Sequence, residues 1–139
     1  MNDKIKYKGY VIITDKKGKH RFDNVVTQGF YQLIANLATG ISSDIIDYFG
    51  FGTGTTIASN VDTELVSESG DRLQVTFKDS VGGIMHFQVT VNGGQLIYTW
   101  REIGLFTAST GGVMTNRVNV NYVHSLGESI TLDYYIQKQ

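Results

Sequence analysis

The chain of 139 residues contains no cysteine and no proline, and it has a single tryptophan. Without cysteine the protein cannot form a disulfide, a thiolate metal site or a thiol nucleophile, so its stability must come from packing alone. Without proline the turns must depend on glycine, asparagine and aspartate, and the chain has 16 glycines. The length predicts one domain, 1–139.

Long apolar runs are also missing. No stretch approaches the ~18 residues that would span a bilayer, and the start, "MNDKIKYKGY", lacks the apolar centre of a secretory signal. We therefore expect a soluble protein that is made in a cytoplasm and has no membrane partner.

The net charge of −1 conceals an uneven distribution of charge. Residues 1–21 carry seven basic residues and two acidic ones, whereas the rest of the chain carries five basic and eleven acidic residues. The two parts of the sequence therefore differ in electrostatic character.

Apolar and polar residues alternate in several stretches, which is the period of half-buried strands. Leu73–Phe77 and Met85–Val91 are predicted to form a hairpin through "DSVGG". Val118, Val120 and Tyr122 are predicted to face the core. The last strand is predicted to turn four residues inward: Ile130, Leu132, Tyr134 and Ile136.

A basic hairpin is predicted over residues 1–23, where "YKGYVIIT" and "KHRFDNVV" flank the turn "DKKG". Lys4, Lys6 and Lys8 point the same way along its first strand. That pattern is typical of an exposed edge strand that resists unwanted pairing. We expect these lysines to dock on an acidic partner protein.

One segment has helical periodicity and predicts an amphipathic helix over 27–39. Asn24 or Thr27 can cap its start, and Gly40 is well placed to end it. Four apolar residues fall on one face at i, i+3, i+4 and i+7: Phe30, Leu33, Ile34 and Leu37.

The remaining strands are predicted within 44–137, separated by glycine turns. Seven to nine short strands with one helix indicate a mainly β fold. We predict an antiparallel β-sandwich, similar to a jelly roll.

The glycine-rich stretch "FGFGTGTT", residues 49–56, raises the possibility of phosphate binding. It lacks the Lys-Ser/Thr that follows a phosphate-binding loop, and no long helix is predicted after it. The stretch is therefore interpreted as structural, with Gly52 and Gly54 adopting backbone angles that a β-carbon would forbid.

No motif indicates a catalytic, cofactor or metal site. His20, His86 and His124 are far apart in sequence and show no ligand spacing. The carboxylate pairs Asp44 with Asp47 and Asp62 with Glu64 leave a polysaccharide-degrading enzyme open as the less favoured reading.

Two binding functions also stay open. The aromatic residues among the N-terminal lysines could bind nucleic acid, which is the less favoured reading because the same hairpin packs a core. A carbohydrate-binding module could use a set of exposed rings: Tyr31, Tyr48, Tyr98, Trp100, Tyr122 and Tyr135.

Several stretches, in order, resemble structural proteins of tailed bacteriophages. They are "NVVTQGFYQLIANL", "FGTGTT", "DTEL" and "LIYTWREIGLFTASTGGVMTNRVNVNYVHSLGESITLDYYIQ", and together they span 24–136. The resemblance implies a non-enzymatic virion protein of a tail fibre, tail tip, baseplate or capsid decoration. Its implied partners are other virion proteins, copies of itself in a trimer and a host surface glycan.

Within the last stretch, Glu102 lies between Trp100 and Ile103 on a predicted strand. A buried carboxylate is costly unless it is paired or hydrogen-bonded. We therefore predict that Arg117 or the backbone amides of a neighbouring loop hold Glu102.

Overall fold

The computed structural model describes residues 5–139 and is mainly β, with 49% of the residues in strands. The elements are β1 Tyr7–Asp15, β2 Gly18–Val26, α1 Gln28–Thr39, β3 Tyr48–Gly52, β4 Leu73–Gln74, β5 Phe77–Val81, β6 Ile84–Val91, β7 Thr99–Phe106, β8 Met114–Val123 and β9 Ile130–Lys138. The predicted β class with one helix is confirmed. Among the described residues, no helix is long and apolar enough to cross a bilayer.

All nine strands pair antiparallel in one curled sheet, which has the order β4-β3-β7-β8-β2-β1-β9-β6-β5 and forms a half-barrel. We call β2, β1, β9, β6 and β5 the first half, and β8, β7, β3 and β4 the second half. Strand β2 joins them, because it pairs with β1 over most of its length and with β8 through Val25 and Val26. The sandwich arrangement stays a prediction.

The stretch 73–81 connects the two ends of the sheet. The sequence predicts that Leu73–Phe77 is one strand paired with Met85–Val91, with "DSVGG" as the turn, but β4 pairs with β3 and only β5 pairs with β6. Between them, the Val75 amide donates to the Asp47 carbonyl (2.8 Å) and the Thr76 amide to the Gln88 carbonyl (2.9 Å). The inward orientation predicted for Phe77 is wrong: its side chain is 48% exposed, because it pairs with Gln88 on the outer face.

The core lies on the inner face of the sheet. The four residues predicted to face inward on β9 are all fully buried, and Val118, Val120 and Tyr122 of β8 are buried as predicted. Strands of the two halves meet there, as the rings of Phe49 and Tyr134 do at 5.9 Å between centroids.

Helix α1 confirms the helix predicted over 27–39. Thr27 occupies the N-cap position, and Gly40 ends the helix with a φ of 75°. The Thr27 hydroxyl donates to the Met114 carbonyl (2.6 Å), so it anchors the helix to β8 and does not cap it. Phe30 and Leu33 are buried in the core.

The N-terminal hairpin forms as predicted, with β1 paired to β2 around a turn that ends at Gly18. The predicted exposed edge is wrong, because β9 pairs with the other side of β1 from Tyr7 to Thr14. Lys8 is exposed on the outer face of the sheet. Lys6 is exposed just before β1, and Lys4 lies outside the described residues.

Candidate functional site

A loop of twenty residues, 53–72, follows β3 and covers the outer face of the second half. We call it the covering loop. It is fastened to the end of β3, since the Thr53 amide donates to the Ser67 carbonyl and the Ser69 amide donates to the Phe51 carbonyl, both at 2.9 Å. Loops of this length without regular structure are uncommon in compact domains, so the contacts that hold the covering loop in place indicate its role.

Glu102 lies on β7 beneath the covering loop and is fully buried. Its Oε2 accepts hydrogen bonds from the amides of Gly54 and Ser67, both at 2.7 Å, and its Oε1 accepts one from the Val66 amide at 2.8 Å. Three backbone donors replace the water that the carboxylate loses on burial.

Arg117, on β8, is also fully buried and supplies the opposite charge. Its Nε donates to Glu102 Oε1 at 3.0 Å, and its Nη1 donates to Asp62 Oδ2 of the covering loop at 3.2 Å. The two predicted alternatives for Glu102, an arginine and loop amides, are thus both present. We call Glu102, Arg117, Asp62 and the three amides the latch.

Gly52 and Gly54 lie against the latch, but the predicted reason for these glycines is wrong. Neither has a positive φ. A β-carbon on Gly54 would instead meet Glu102 Oε2 and the Val66 Cβ (2.5 Å), and one on Gly52 would meet the Ser67 carbonyl and Glu102 Oε2 (2.7 Å). Glycine is needed here for close approach.

The anion bound by the glycine-rich stretch belongs to the protein itself. The Gly54 amide points at the Glu102 carboxylate, as loop amides point at a phosphate in a nucleotide site. A backbone donor already committed to a buried ion pair supports the structural interpretation of residues 49–56.

Further contacts that the sequence did not indicate hold the covering loop. Asn119 accepts from the Ala58 amide (2.7 Å) and donates to the Thr56 carbonyl (2.9 Å). Arg72 donates twice to Glu68 and lies 3.5 Å above the Phe106 ring. The pattern marked Asn119 only as an outward residue, and a loop that covers the outer face leaves no periodic signal.

The outer face of the first half carries a row of stacked side chains instead of a loop. Arg21 lies 3.9 Å above the ring of Tyr10. Tyr10 stacks on Tyr135 at 5.0 Å, and Tyr135 stacks on His86 at 4.5 Å with an interplanar angle of 6°. We call these four residues the ladder. Each stands on a different strand, in the order β2, β1, β9 and β6.

The ladder is held in place by polar contacts as well as by stacking. Asp133 Oδ1 accepts from Gln88 Nε2 (2.8 Å) and contacts His86 Nε2 (2.7 Å). Asp79 lies on the other side of the imidazole, 3.7 Å from Nδ1. The side chains of this uncovered face are therefore ordered before any partner binds.

The other candidate histidines and carboxylates stand apart from one another. His20 contacts Asp15 at 3.1 Å, and the Tyr122 hydroxyl donates to the same carboxylate at 2.5 Å. That hydrogen bond lowers the pKa of Asp15 to about 2. His124 contacts two backbone carbonyls. In the described part of the chain, no three His, Asp or Glu side chains cluster as metal ligands.

One carboxylate of each candidate catalytic pair is already bound to a basic side chain. Asp62 belongs to the latch, and Asp47 pairs with Lys78 at 2.8 Å.

The rings proposed for carbohydrate binding do not form one surface. Trp100 is fully buried and Tyr122 is 8% exposed. The Tyr98 hydroxyl donates to the Ser69 carbonyl, and burial raises its pKa to about 12. Tyr135 has both neighbours of the ladder against its ring. The surface position that the carbohydrate-binding alternative requires of Trp100 and Tyr122 is therefore wrong, because both face the core.

Comparison of the chain with protein-family models, with curated proteins and with solved structures finds no match.

Proposed function

We propose that this chain is a non-enzymatic structural protein of a bacteriophage virion, a subunit of a tail fibre, tail tip, baseplate or capsid appendage. It assembles through protein-protein contacts with other virion proteins. Its place of action is the virion, after synthesis in the cytoplasm of the bacterial host. The proposal includes no cofactor.

One observation carries the proposal: the separate motifs of the resemblance meet in one scaffold. "FGTGTT" contributes Gly54, "DTEL" contributes Asp62, and the long C-terminal stretch contributes Glu102 and Arg117. Gly54 donates to Glu102, Asp62 accepts from Arg117, and Glu102 and Arg117 are paired with each other inside the latch. The residues that carry the resemblance therefore stabilise the fold, which is the role expected in a protein that acts by assembly.

The acidic and basic groups of the latch suit this role better than a catalytic one. Glu102 and Arg117 are fully buried and already hydrogen-bonded to each other. A general acid or nucleophile needs access to a substrate. The geometry therefore favours a stabilised loop over a reaction centre.

The quaternary and tertiary details of the proposal follow the resemblance. We propose a homotrimer, with Lys4, Lys6 and Lys8 docking on an acidic neighbouring subunit. The two halves of the curled sheet act as the layers of a sandwich. Their shared core, in which Phe49 of one half contacts Tyr134 of the other, supports that description.

The alternative function is a carbohydrate-binding module that recognises a host glycan. Tyr31, 38% exposed, is the best placed of the candidate rings. Stacking on a sugar requires a free ring face, and the ladder uses its ring faces internally. A glycan array with the purified protein tests this alternative, and saturable binding would support it.

The decisive experiment is to locate the protein in particles. An antibody against the purified chain should label phage particles from the source bacterium, and peptides of the chain should appear in their digests. The capsid-free lysate is the control fraction. Presence in the lysate with absence from particles would contradict the virion proposal.

A further inference from the structure

We propose that the outer face of the first half is the interface between copies of this chain, with the basic side of one copy on the acidic side of another. The inference rests on the proposed homo-oligomer and names the acidic neighbour of the N-terminal lysines. It does not require that the assembly be a virion.

Charge on this face is divided between its two sides. Strands β1 and β2 turn Lys8, Lys19, Arg21 and Asp23 outward, a local charge of +2 from three cations and one anion. Strands β9, β6 and β5 turn Asp133 and Asp79 outward, a local charge of −2. A face that is basic on one side and acidic on the other is complementary to itself.

Apolar groups accompany the acidic side. Phe77, Val81 and Ile84, on the same outer face, are 48%, 69% and 38% exposed. Edge strand β5 is exposed along its whole length. Exposed apolar residues beside fixed charges are the composition of a protein interface.

The ladder lies between the two sides and supplies the residue types that dominate binding energy at interfaces, Tyr and Arg. The rings are 4.5–5.0 Å apart with interplanar angles of 6° and 25°, so they stack face to face. They stand up from the sheet and present their edges outward. Because the side chains of the ladder are already ordered, little side-chain entropy is lost when a second copy covers these edges.

Two symmetries bring the basic side of one copy against the acidic side of another. A twofold axis parallel to the strands puts β2 of one copy over β5 of the other. The Arg21 guanidinium lies over Tyr10, in the row that Tyr10, Tyr135, His86 and Asp79 share, and is therefore the cation that faces Asp79, although it also donates to Asp23 of the same row at 3.2 Å. A threefold ring with this face turned toward its axis makes the same contact between successive neighbours. Both arrangements use the same pair of charges.

Charge reversal tests the interface, with mass measured by sedimentation. Arg21→Asp and Asp79→Arg should each weaken association by about tenfold or more, because like charges then face each other. The double variant R21D/D79R should restore the mass of the wild-type assembly. Arg101→Asp, at an exposed residue of β7 in the second half, is the matched control and should leave the assembly unchanged.

Mixing the two single variants distinguishes the symmetries. In a twofold dimer, an R21D chain and a D79R chain form two favourable contacts, so the mixture reassembles. In a ring of three, at least one contact joins chains of the same kind, so only the double variant reassembles. Either result supports the inference.

Three results would overturn it. Single variants that keep the wild-type mass would show that copies associate through another surface, and the homo-oligomer would stand. A folded double variant that stays monomeric would exclude the pairing of Arg21 with Asp79. A wild-type protein that sediments only at 15.4 kDa would contradict the oligomer itself, and particle labelling would still decide the virion proposal.

Discussion

The outer faces of the two halves of the sheet differ: a loop covers one, and the other is open. The second half buries a carboxylate and a guanidinium under a loop of twenty residues. The first half leaves its outer face open and orders it with stacked rings and surface charges. Polar residues point outward from both halves, so the difference lies in what covers them. One face holds the chain together, and the other is available to a partner.

Breaking the latch should have the largest effect on stability. Glu102→Gln keeps the shape of the side chain, but it leaves the buried Arg117 with only Asp62 as a countercharge and turns an NH2 group toward two N–H donors. We expect the free energy of unfolding to fall by about 3–5 kcal/mol, measured by urea denaturation.

A double variant controls for the burial of charge itself. E102M/R117M removes both fully buried charges and should cost less than Glu102→Gln alone, because the ion left without its partner, Asp62, reaches solvent. A double variant that loses the sum of the two single effects would contradict the latch as a coupled unit.

Crowding the latch should have a smaller effect. Gly54→Ala places a methyl group against Glu102 and Val66, so we expect a loss of about 1–3 kcal/mol in the free energy of unfolding. Gly94→Ala is the matched control, since its β-carbon would meet only Asn92 Oδ1 at 3.6 Å. That variant should stay within about 0.5 kcal/mol of the wild type. Equal effects at the two positions would argue against close packing at Gly54.

Removing the middle ring of the ladder should cost less again. Tyr135→Ala deletes two stacking contacts on a half-exposed face, and we expect a loss of about 1–2 kcal/mol. The measurement is thermal unfolding of dilute protein, and Tyr135→Phe, which keeps the ring, is the control. If both variants unfold like the wild type, the ladder does not stabilise the monomer.

The last prediction concerns a contact that joins the halves, Asp15 of β1 with Tyr122 of β8. The folded protein has an Asp15 pKa of about 2, below the ordinary 3.8. Folding therefore favours the ionised form. This stabilisation is complete above the ordinary pKa and is lost as the pH falls through about 2.

Unfolding titrated from pH 5 to pH 2 checks this. Tyr122→Phe removes the hydrogen bond that lowers the pKa of Asp15, so the variant should be less stable than the wild type at pH 5 and should lose less stability than the wild type between pH 5 and pH 2. An unchanged acid profile would show that Tyr122 does not hold the Asp15 carboxylate.

The sequence predicts those elements whose signals are local. Period-2 alternation found β8 and β9, and helical spacing with Gly40 found α1. Alternation does not identify the neighbour of a strand, so the sequence predicts Leu73–Phe77 as one strand of a hairpin and β1 as an edge. Both errors concern pairing between distant segments.

The same limit applies to the candidate sites. Glu102 could be predicted because a carboxylate among buried residues needs partners, and Arg117 lay within reach on the next strand. Asn119 and the contacts of Arg72 depend on where the covering loop returns. The ladder cannot be predicted from the sequence pattern, because its members occupy polar-face positions on four separate strands. Only the register of those strands brings them side by side.

The chain changes from one half of the sheet to the other four times: after Val25–Val26, at Val75–Thr76, between β6 and β7, and between β8 and β9. Neither half is consequently a contiguous piece of polypeptide. A recombination breakpoint between residues 26 and 75 would place strands from the donor beside strands from the recipient within the first half: β1 and β2 would come from one gene, and β5, β6 and β9 from the other. Exchange between related genes should therefore preserve the whole unit, and chimaeras joined inside it should fail to fold.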